Sequence, residues 1–257
     1  MRLIVTRPAA QATAWVTALQ ALGCEAQALP LIGIAALDDS APLRAAWQAL
    51  PRYGLVMFVS ANAVEHFFAA AAGAVWPAAV RAAATGPGTA GALRQAGVPA
   101  GALVEPAADA ARFDSEALWA QVAHEDWAGR RVLVVRGEDG RDWLADTLRA
   151  RGATVDFVAA YRRLAPQPDA AGRSLLAQAL ADPAGHLWLF SSSEAVAHLQ
   201  ALAPGADWSR SAALATHPRI AAAARAAGFA GVALTAPAAE AVARAAAAGP
   251  SIQSVAL

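Results

Sequence analysis

The chain has 257 residues, of which 57% are hydrophobic and 16% charged, which excludes disorder and supplies a core for one large domain or two of about 125 residues. Lys and Arg together number 20 and so do Asp and Glu, so no global field draws the protein to nucleic acid or an anionic membrane, and any anionic ligand must be held locally. The single cysteine, Cys24, excludes an internal disulfide framework and a CxxC metal or redox site, and fits a reducing cytoplasm.

Taken in chain order, strands and helices alternate. LIVT at residues 3–6 opens directly on a strand pattern, without the basic, apolar and cleavable regions of an export signal. Trp15, Leu19 and Leu22 then fall at helical spacing, and Gly23 supplies the left-handed residue on which helices commonly end. Strand-like runs recur as LVMFV at 55–59, VLVV at 132–135, LWLF at 187–190 and VALT at 232–235, and Leu144 and Leu148 before Gly152 mark another helix. Such alternation predicts β-α units on parallel sheets. The uncharged stretch from Phe67 to Val80 is mostly alanine and is broken by Gly73 and Pro77, so it falls short of a spanning helix. Pro and Gly mark breaks near 38–42, 164–168, 182–185 and 204–205, and from Gly249 onward no strong pattern remains.

The chain also repeats itself. FVSANAVEHF at 58–67 returns as FSSSEAVAHL at 190–199, which sets Phe58 and Phe190, Ser60 and Ser192, Val64 and Val196, and His66 and His198 each 132 residues apart. VTRP at 5–8 answers VVRG at 134–137, with Arg7 and Arg136 separated by 129, as are Gly23 and Gly152. ATGPGTAGALRQAG at 84–97 matches ATHPRIAAAARAAG at 215–228 at a spacing of 131. Three blocks in one order, at a nearly constant offset, identify a duplicated α/β unit. The residues alone favour a tandem division near 126.

In an open parallel sheet, ligands gather beyond the carboxyl ends of the strands, where turns meet helix N-termini. The repeats put their polar residues there. One copy offers Ser60 and Asn62 and the other Ser191 and Ser192, with Glu65 and Glu194 spaced from Asn62 and Ser191 in the manner of a capping box. Each of these side chains could equally be only a helix cap. Thr85-Gly86-Pro87-Gly88-Thr89 is the sharpest turn. Two glycines around a proline at a helix start leave backbone N–H groups uncovered, and the helix dipole favours a carboxylate or phosphate there. It lacks the spacing of a nucleotide-binding loop. Its counterpart, Thr216-His217-Pro218-Arg219, replaces the glycines with a titratable and a permanent cation. Arg7 and Arg136 stand where strands end, each able to fork onto a ligand carboxylate or to pair with a neighbouring acid. Tyr161, in VAAYRR, is either an uncharged proton donor or a packed hinge residue. His66 and His198 lie well inside helices and read as structural, and no His or carboxylate pair shows metal spacing.

VTRP, the F-x-S-x-x-A-V block used twice, the T-G-P-G-T-A turn and the V-x-x-Y-R stretch after GRRVLVVRG together resemble the uroporphyrinogen-III synthase family, from Leu3 to about Val242. The resemblance implies two similar doubly wound, flavodoxin-like α/β domains joined by a two-stranded linker. One of them would be discontinuous, with residues 1–36 and 167–257 in the first domain and 37–166 in the second. It further implies a lyase of tetrapyrrole and heme biosynthesis that closes the linear hydroxymethylbilane to uroporphyrinogen III, inverting the terminal pyrrole ring with loss of water and using no cofactor. The substrate is a flexible polycarboxylate, which agrees with turns that offer amides, hydroxyls and a few cations, and the loops of both copies are expected to face one crevice. By the same resemblance Tyr161 takes the place of the tyrosine proposed to help the hydroxyl leave, and Thr89 that of a hydroxyl in the first glycine turn. Ile220 is the counterpart of Thr89 in the second copy, where some relatives carry threonine, so a hydroxyl role for that turn is not expected. Substrate binding is expected from Arg7, Ser60, Asn62, Thr85, Gly86, Gly88, Thr89, Arg136, Ser191, Ser192, Thr216 and His217.

The expected protein is a cytoplasmic monomer without nucleic-acid or membrane partners. Its formal neutrality argues against a charge-steered handover from the enzyme that makes the bilane, and transient contact with that enzyme stays open. Two other readings use the same turns. A two-lobed binding module would take up a small anion without forming a product, and a nucleotide-dependent transferase would need a phosphate fingerprint that the sequence lacks.

Overall fold

The structure, a computed structural model, describes residues 1–107, 110, 113–140 and 142–249, so the tail beyond Gly249 lies outside the described residues. In chain order the elements are β1 (Arg2–Val5), α1 (Ala9–Ala21), β2 (Ala26–Ala28), β3 (Gly33–Ala36), α2 (Ala41–Gln48), β4 (Leu55–Phe58), α3 (Ala61–Ala69), β5 (Arg81–Ala84), α4 (Pro87–Gln95), β6 (Leu103–Val104), α5 (Ser115–Val122), β7 (Arg131–Gly137), α6 (Trp143–Ala150), β8 (Thr154–Leu164), α7 (Ala170–Ala181), β9 (His186–Phe190), α8 (Ser193–Leu202), β10 (Ala212–Ala215), α9 (Pro218–Ala226), β11 (Gly231–Leu234) and α10 (Ala239–Ala248). Gly23 and Gly152 follow α1 and α6 with φ of +80° and +86°, the left-handed exit expected of them.

Two compact units divide the chain. One comprises Met1–Gly33 with the chain from Leu164, and the other Ile34–Arg163. The first unit holds a five-stranded sheet in the order β2-β1-β9-β10-β11, parallel throughout. In the second the order is β3-β8-β7-β4-β5-β6, and every pair from β8 to β6 is parallel. Counted along each repeat, both parallel sheets follow 2-1-3-4-5, the flavodoxin-like order. Each sheet takes its first two strands from one repeat and its last three from the other. β1 pairs with β9 from Arg2↔His186 to Val5↔Leu189, and β7 pairs with β4 from Leu55↔Val132 to Phe58↔Val135. A tandem division near 126 would have joined β1 and β2 to β4; the pairing of β1 with β9 excludes it. The chain passes between the units at Gly33/Ile34 and Arg163/Leu164, on the neighbouring strands β3 and β8.

Both sheets bury hydrophobic side chains on two faces, which is why their central strands read as continuous apolar runs. In the second unit, Phe58, Phe67 and Trp76 pack with Tyr161 on one face, and Leu118, Trp127, Leu144 and Leu148 cover the other. In the first, Leu3, Val5, Leu19, Leu187 and Leu189 form one layer. In the same unit but outside that layer, Trp208 and Phe229 stack at 5.2 Å, and Trp188 meets Trp208 edge-on at 5.7 Å. Truncating a core ring such as Phe58 to alanine should cost about 3–5 kcal/mol. β5 (RAAA) and β10 (AALA) are inner strands built mainly of alanine. Alanine has a poor intrinsic strand preference, so these strands exist because larger residues on both sides pair with them.

Candidate functional site

In the second unit, strand order brings Tyr161 and Ser60 together. Tyr161 is on β8, Ser60 follows β4, and β7 lies between them. The phenol oxygen of Tyr161 is 3.0 Å from Ser60 Oγ. β7 ends under the aromatic ring at Gly137, where an added Cβ would stand 3.2 Å from Tyr161 Cε2 and Cζ. The β7–β8 register slips between Arg136 and Gly137, so that Arg136 faces Ala159 and Gly137 faces Tyr161. This irregularity aims the tyrosine across the strand ends. His66, on α3, stacks beside the phenol at 6.0 Å with rings inclined by 24°. Tyr161 is only 1% exposed, so its hydroxyl meets Ser60 inside the protein rather than solvent.

Ser60 is the N-cap of α3, its Oγ accepting the Ala63 amide at 3.1 Å. The capping-box spacing from Asn62 to Glu65 therefore does not mark the cap, because the helix starts two residues earlier than that spacing implies. Asn62 is buried in the first turn of α3. After β5, Thr85 Oγ1 donates to the Val59 carbonyl at 3.2 Å and ties the two strand-end turns together. Gly86 precedes α4, and no side chain caps that helix. A Cβ on Gly86 would meet Phe113 at 3.3 Å, whereas one on Gly88 would meet nothing within 4 Å. The amide donors at the start of α4 thus face a turn in which Gly88 leaves space. Thr89 is buried, as is its counterpart Ile220, so the two copies place a hydroxyl and an ethyl group at equivalent buried positions. Arg136 is paired with Asp142 and lies 4.4 Å over the Phe157 ring, so it already has an acidic partner.

Arg7, in the first unit, differs sharply. It stands two residues beyond the end of β1, beside β9, where the strand order of the sheet reverses. Its guanidinium lies 4.3 Å over the Trp15 ring and reaches Gln11 Oε1 at 3.4 Å. Its Nε is buried without a hydrogen-bond partner, and burial pulls its pKa down to about 10. At neutral pH it stays charged, and among the described residues it meets no carboxylate. Register carried two residues past Val5↔Leu189 sets Arg7 opposite Ser191, whose Oγ is likewise buried and unpartnered. Ser192 caps α8 by accepting the Glu194 amide at 3.2 Å, so here too the cap is the serine aligned with Ser60. Thr216 continues β10, its amide donating to the Phe190 carbonyl at 3.2 Å. His217 caps α9, its Nδ1 accepting the Arg219 amide at 3.1 Å, which leaves the proton of the neutral ring on Nε2. That helix start is therefore closed by its own side chain, unlike α4. His198 is structural as expected, donating Nδ1–H to the Leu31 carbonyl at 2.6 Å.

Gly137 carries no functional signal in the sequence, and His66, read there as structural, is the ring that lies beside the phenol. Gly137 was visible as the last residue of the repeated VVRG block, but nothing in its spacing said which ring would lie over it. Among the described residues, no group of three or more His, Cys, Asp or Glu could hold a metal ion, and no helix is long and apolar enough to cross a membrane.

A model of the family described as uroporphyrinogen-III synthase HemD matches residues 13–243. The uroporphyrinogen-III synthase of Salmonella typhimurium is 36% identical over 177 residues, covering 68% of this chain and 70% of the relative. That of Escherichia coli is 33% identical over 183 residues, covering 70% and 72%. Among solved structures, a mutant uroporphyrinogen III synthase of Thermus thermophilus superposes with a TM-score of 0.55 at 22% identity, over 89% of this chain and 90% of that one. The uroporphyrinogen-III synthetase of Helicobacter pylori gives 0.52 at 14% identity, over 96% and 99%. At these identities the structural likeness speaks for the fold alone.

Proposed function

This chain belongs to the uroporphyrinogen-III synthase family, whose members cyclise hydroxymethylbilane to uroporphyrinogen III, and we propose that its strand-end residues carry out the dehydration and select the ring closure. Loss of the terminal hydroxyl leaves a reactive cation on the bilane. Attack by the substituted carbon of the last pyrrole forms a spiro intermediate, which fragments and recombines with that ring reversed. The unaided bilane closes without inversion, so the protein's task is to hold the chain ends in one geometry and deny them the other.

The observation that carries this reading is the pairing of Tyr161 with Ser60, a hydroxyl pair built across three strands at the carboxyl end of a sheet. It supports Tyr161 as the group that helps the hydroxyl leave. The amides at the start of α4 and the guanidinium of Arg7, which meets no acid among the described residues, suit the substrate's carboxylates. Arg136, held by Asp142, would bind only by exchanging that partner. The balanced charge and lone cysteine support a cytoplasmic monomer, and the handover of bilane from its producer requires no charge attraction. The binding-module and transferase readings gain no support from the relatives.

The test is to give the purified protein freshly made hydroxymethylbilane and resolve the isomers. The expected product is the reversed isomer, formed well above background. Formation of only the unreversed isomer, at the uncatalysed rate, would end the reading.

A further inference from the structure

We propose that Ser60, rather than Tyr161, donates the proton to the departing hydroxyl, and that Tyr161 acts through it as a positioning and proton-supplying residue. This deepens the function proposed above and rests on it.

A serine hydroxyl has one hydrogen to donate and two lone pairs to accept with. One lone pair of Ser60 takes the Ala63 amide at 3.1 Å. The 3.0 Å contact with Tyr161 can run either way, and burial decides its direction. If Ser60 donated, the phenol hydrogen of a side chain 1% exposed would have no acceptor among the described residues, which is a costly loss inside a core. If Tyr161 donates, both lone pairs of Ser60 are filled and its own hydrogen is the one left over. That hydrogen belongs to a half-buried residue at a helix start beyond a strand end, where a ligand can meet it, whereas the phenol belongs to a fully buried side chain of the second unit's core. The positive end of the α3 dipole favours negative charge developing on Ser60 Oγ.

The step balances. As the hydroxymethyl C–O bond breaks, Ser60 Oγ–H passes to the leaving oxygen and water departs, with the cation remaining on the pyrrole. Ser60 Oγ takes the Tyr161 proton, so the negative charge rests on the phenolate. When the new macrocycle sheds its ring-carbon proton to restore the aromatic pyrrole, that proton returns to the phenolate through the same hydroxyl.

The experiment compares Ser60→Gly, Ser60→Thr, Tyr161→Phe and Ser60→Gly/Tyr161→Phe on fresh hydroxymethylbilane, with isomer analysis and melting curves. Glycine still serves as a helix cap with little loss, so Ser60→Gly isolates the hydroxyl. Its turnover should fall on the order of a hundredfold, the usual worth of a placed acid, with KM and melting temperature nearly unchanged. Ser60→Thr should restore most of it. Tyr161→Phe should match Ser60→Gly, and the double variant should be no worse than either. Near wild-type turnover in Ser60→Gly, or losses that multiply in the double variant, would overturn the relay. Wild-type protein yielding only the unreversed isomer would instead remove the parent reading, and the relay with it.

Discussion

The ring of Tyr161 lies across the end of β7 at Gly137, so close that a methyl group there would stand 3.2 Å from two ring carbons. The absent side chain is what lets a tyrosine on β8 reach a serine beyond β4. Gly137→Ala must shift the phenol by a few tenths of an ångström. Turnover should fall roughly tenfold with KM little changed, alongside a stability loss of about 1–2 kcal/mol, checked by steady-state kinetics and thermal melts. Unaltered turnover would show that the placement of the phenol is not critical.

Arg7 offers the opposite trade. Its guanidinium is held charged and desolvated, with no carboxylate partner among the described residues, and its pKa is down to about 10. A base whose folded pKa is lowered costs stability while it is protonated. That cost is present in full below about pH 10 and is relieved as pH climbs toward the unfolded value. Its size is on the order of 3 kcal/mol. Arg7→Met keeps a side chain over Trp15 and removes the charge, so melting should rise by about 2–6 °C while KM for the bilane rises severalfold. A fall in both stability and affinity would mark Arg7 as a structural residue.

Gly88 stands at the start of α4 in open space. Gly88→Ala should therefore gain up to about 1 kcal/mol from helix propensity. The new methyl group crowds the amides proposed to hold a substrate carboxylate, and KM should rise with kcat retained. Kinetics paired with denaturant unfolding reads both effects, and an unchanged KM would remove this turn from binding.

At the opposite end of the second unit, Glu125 accepts from Arg81 at 2.7 Å and Arg130 at 2.9 Å. The hydrogen bond from Arg81 is the largest cause holding its carboxyl below the usual glutamate range. A lowered acid contributes stability that is present above the unfolded pKa and lost as pH falls through the folded one. Glu125→Gln should be less stable than wild type near neutrality and should converge with it in acid, as followed by denaturant unfolding across pH. Parallel profiles would contradict this.

The strong strands were legible because β1, β4, β7 and β9 are built from Leu, Ile, Val and Phe, whose size and branching announce a buried sheet. β5 and β10 were not: their alanines carry no strand signal, and the neighbours that impose the conformation are remote in sequence. The duplication was plain from Phe, Ser, Arg and Gly at fixed offsets, yet repeat spacing cannot say whether β1 pairs with β4 or with β9. Position named Ser60, Ser192 and His217 as residues at helix starts. It did not reveal that Ser60 is joined to Tyr161 while Ser191 Oγ stays unsatisfied, since both facts depend on packing across strands far apart in the chain.

The exchange of strands between repeats also sets an order for assembly during synthesis. All strands of the 34–163 sheet emerge together, so it can close early, while β1 must wait for β9, whose first residue pairs with Arg2 from position 186. At ribosomal speeds that delay is roughly ten to forty seconds. For that interval β1 and β2 are a two-stranded fragment, too small to persist on its own in water, and their apolar faces stay uncovered until β9 arrives.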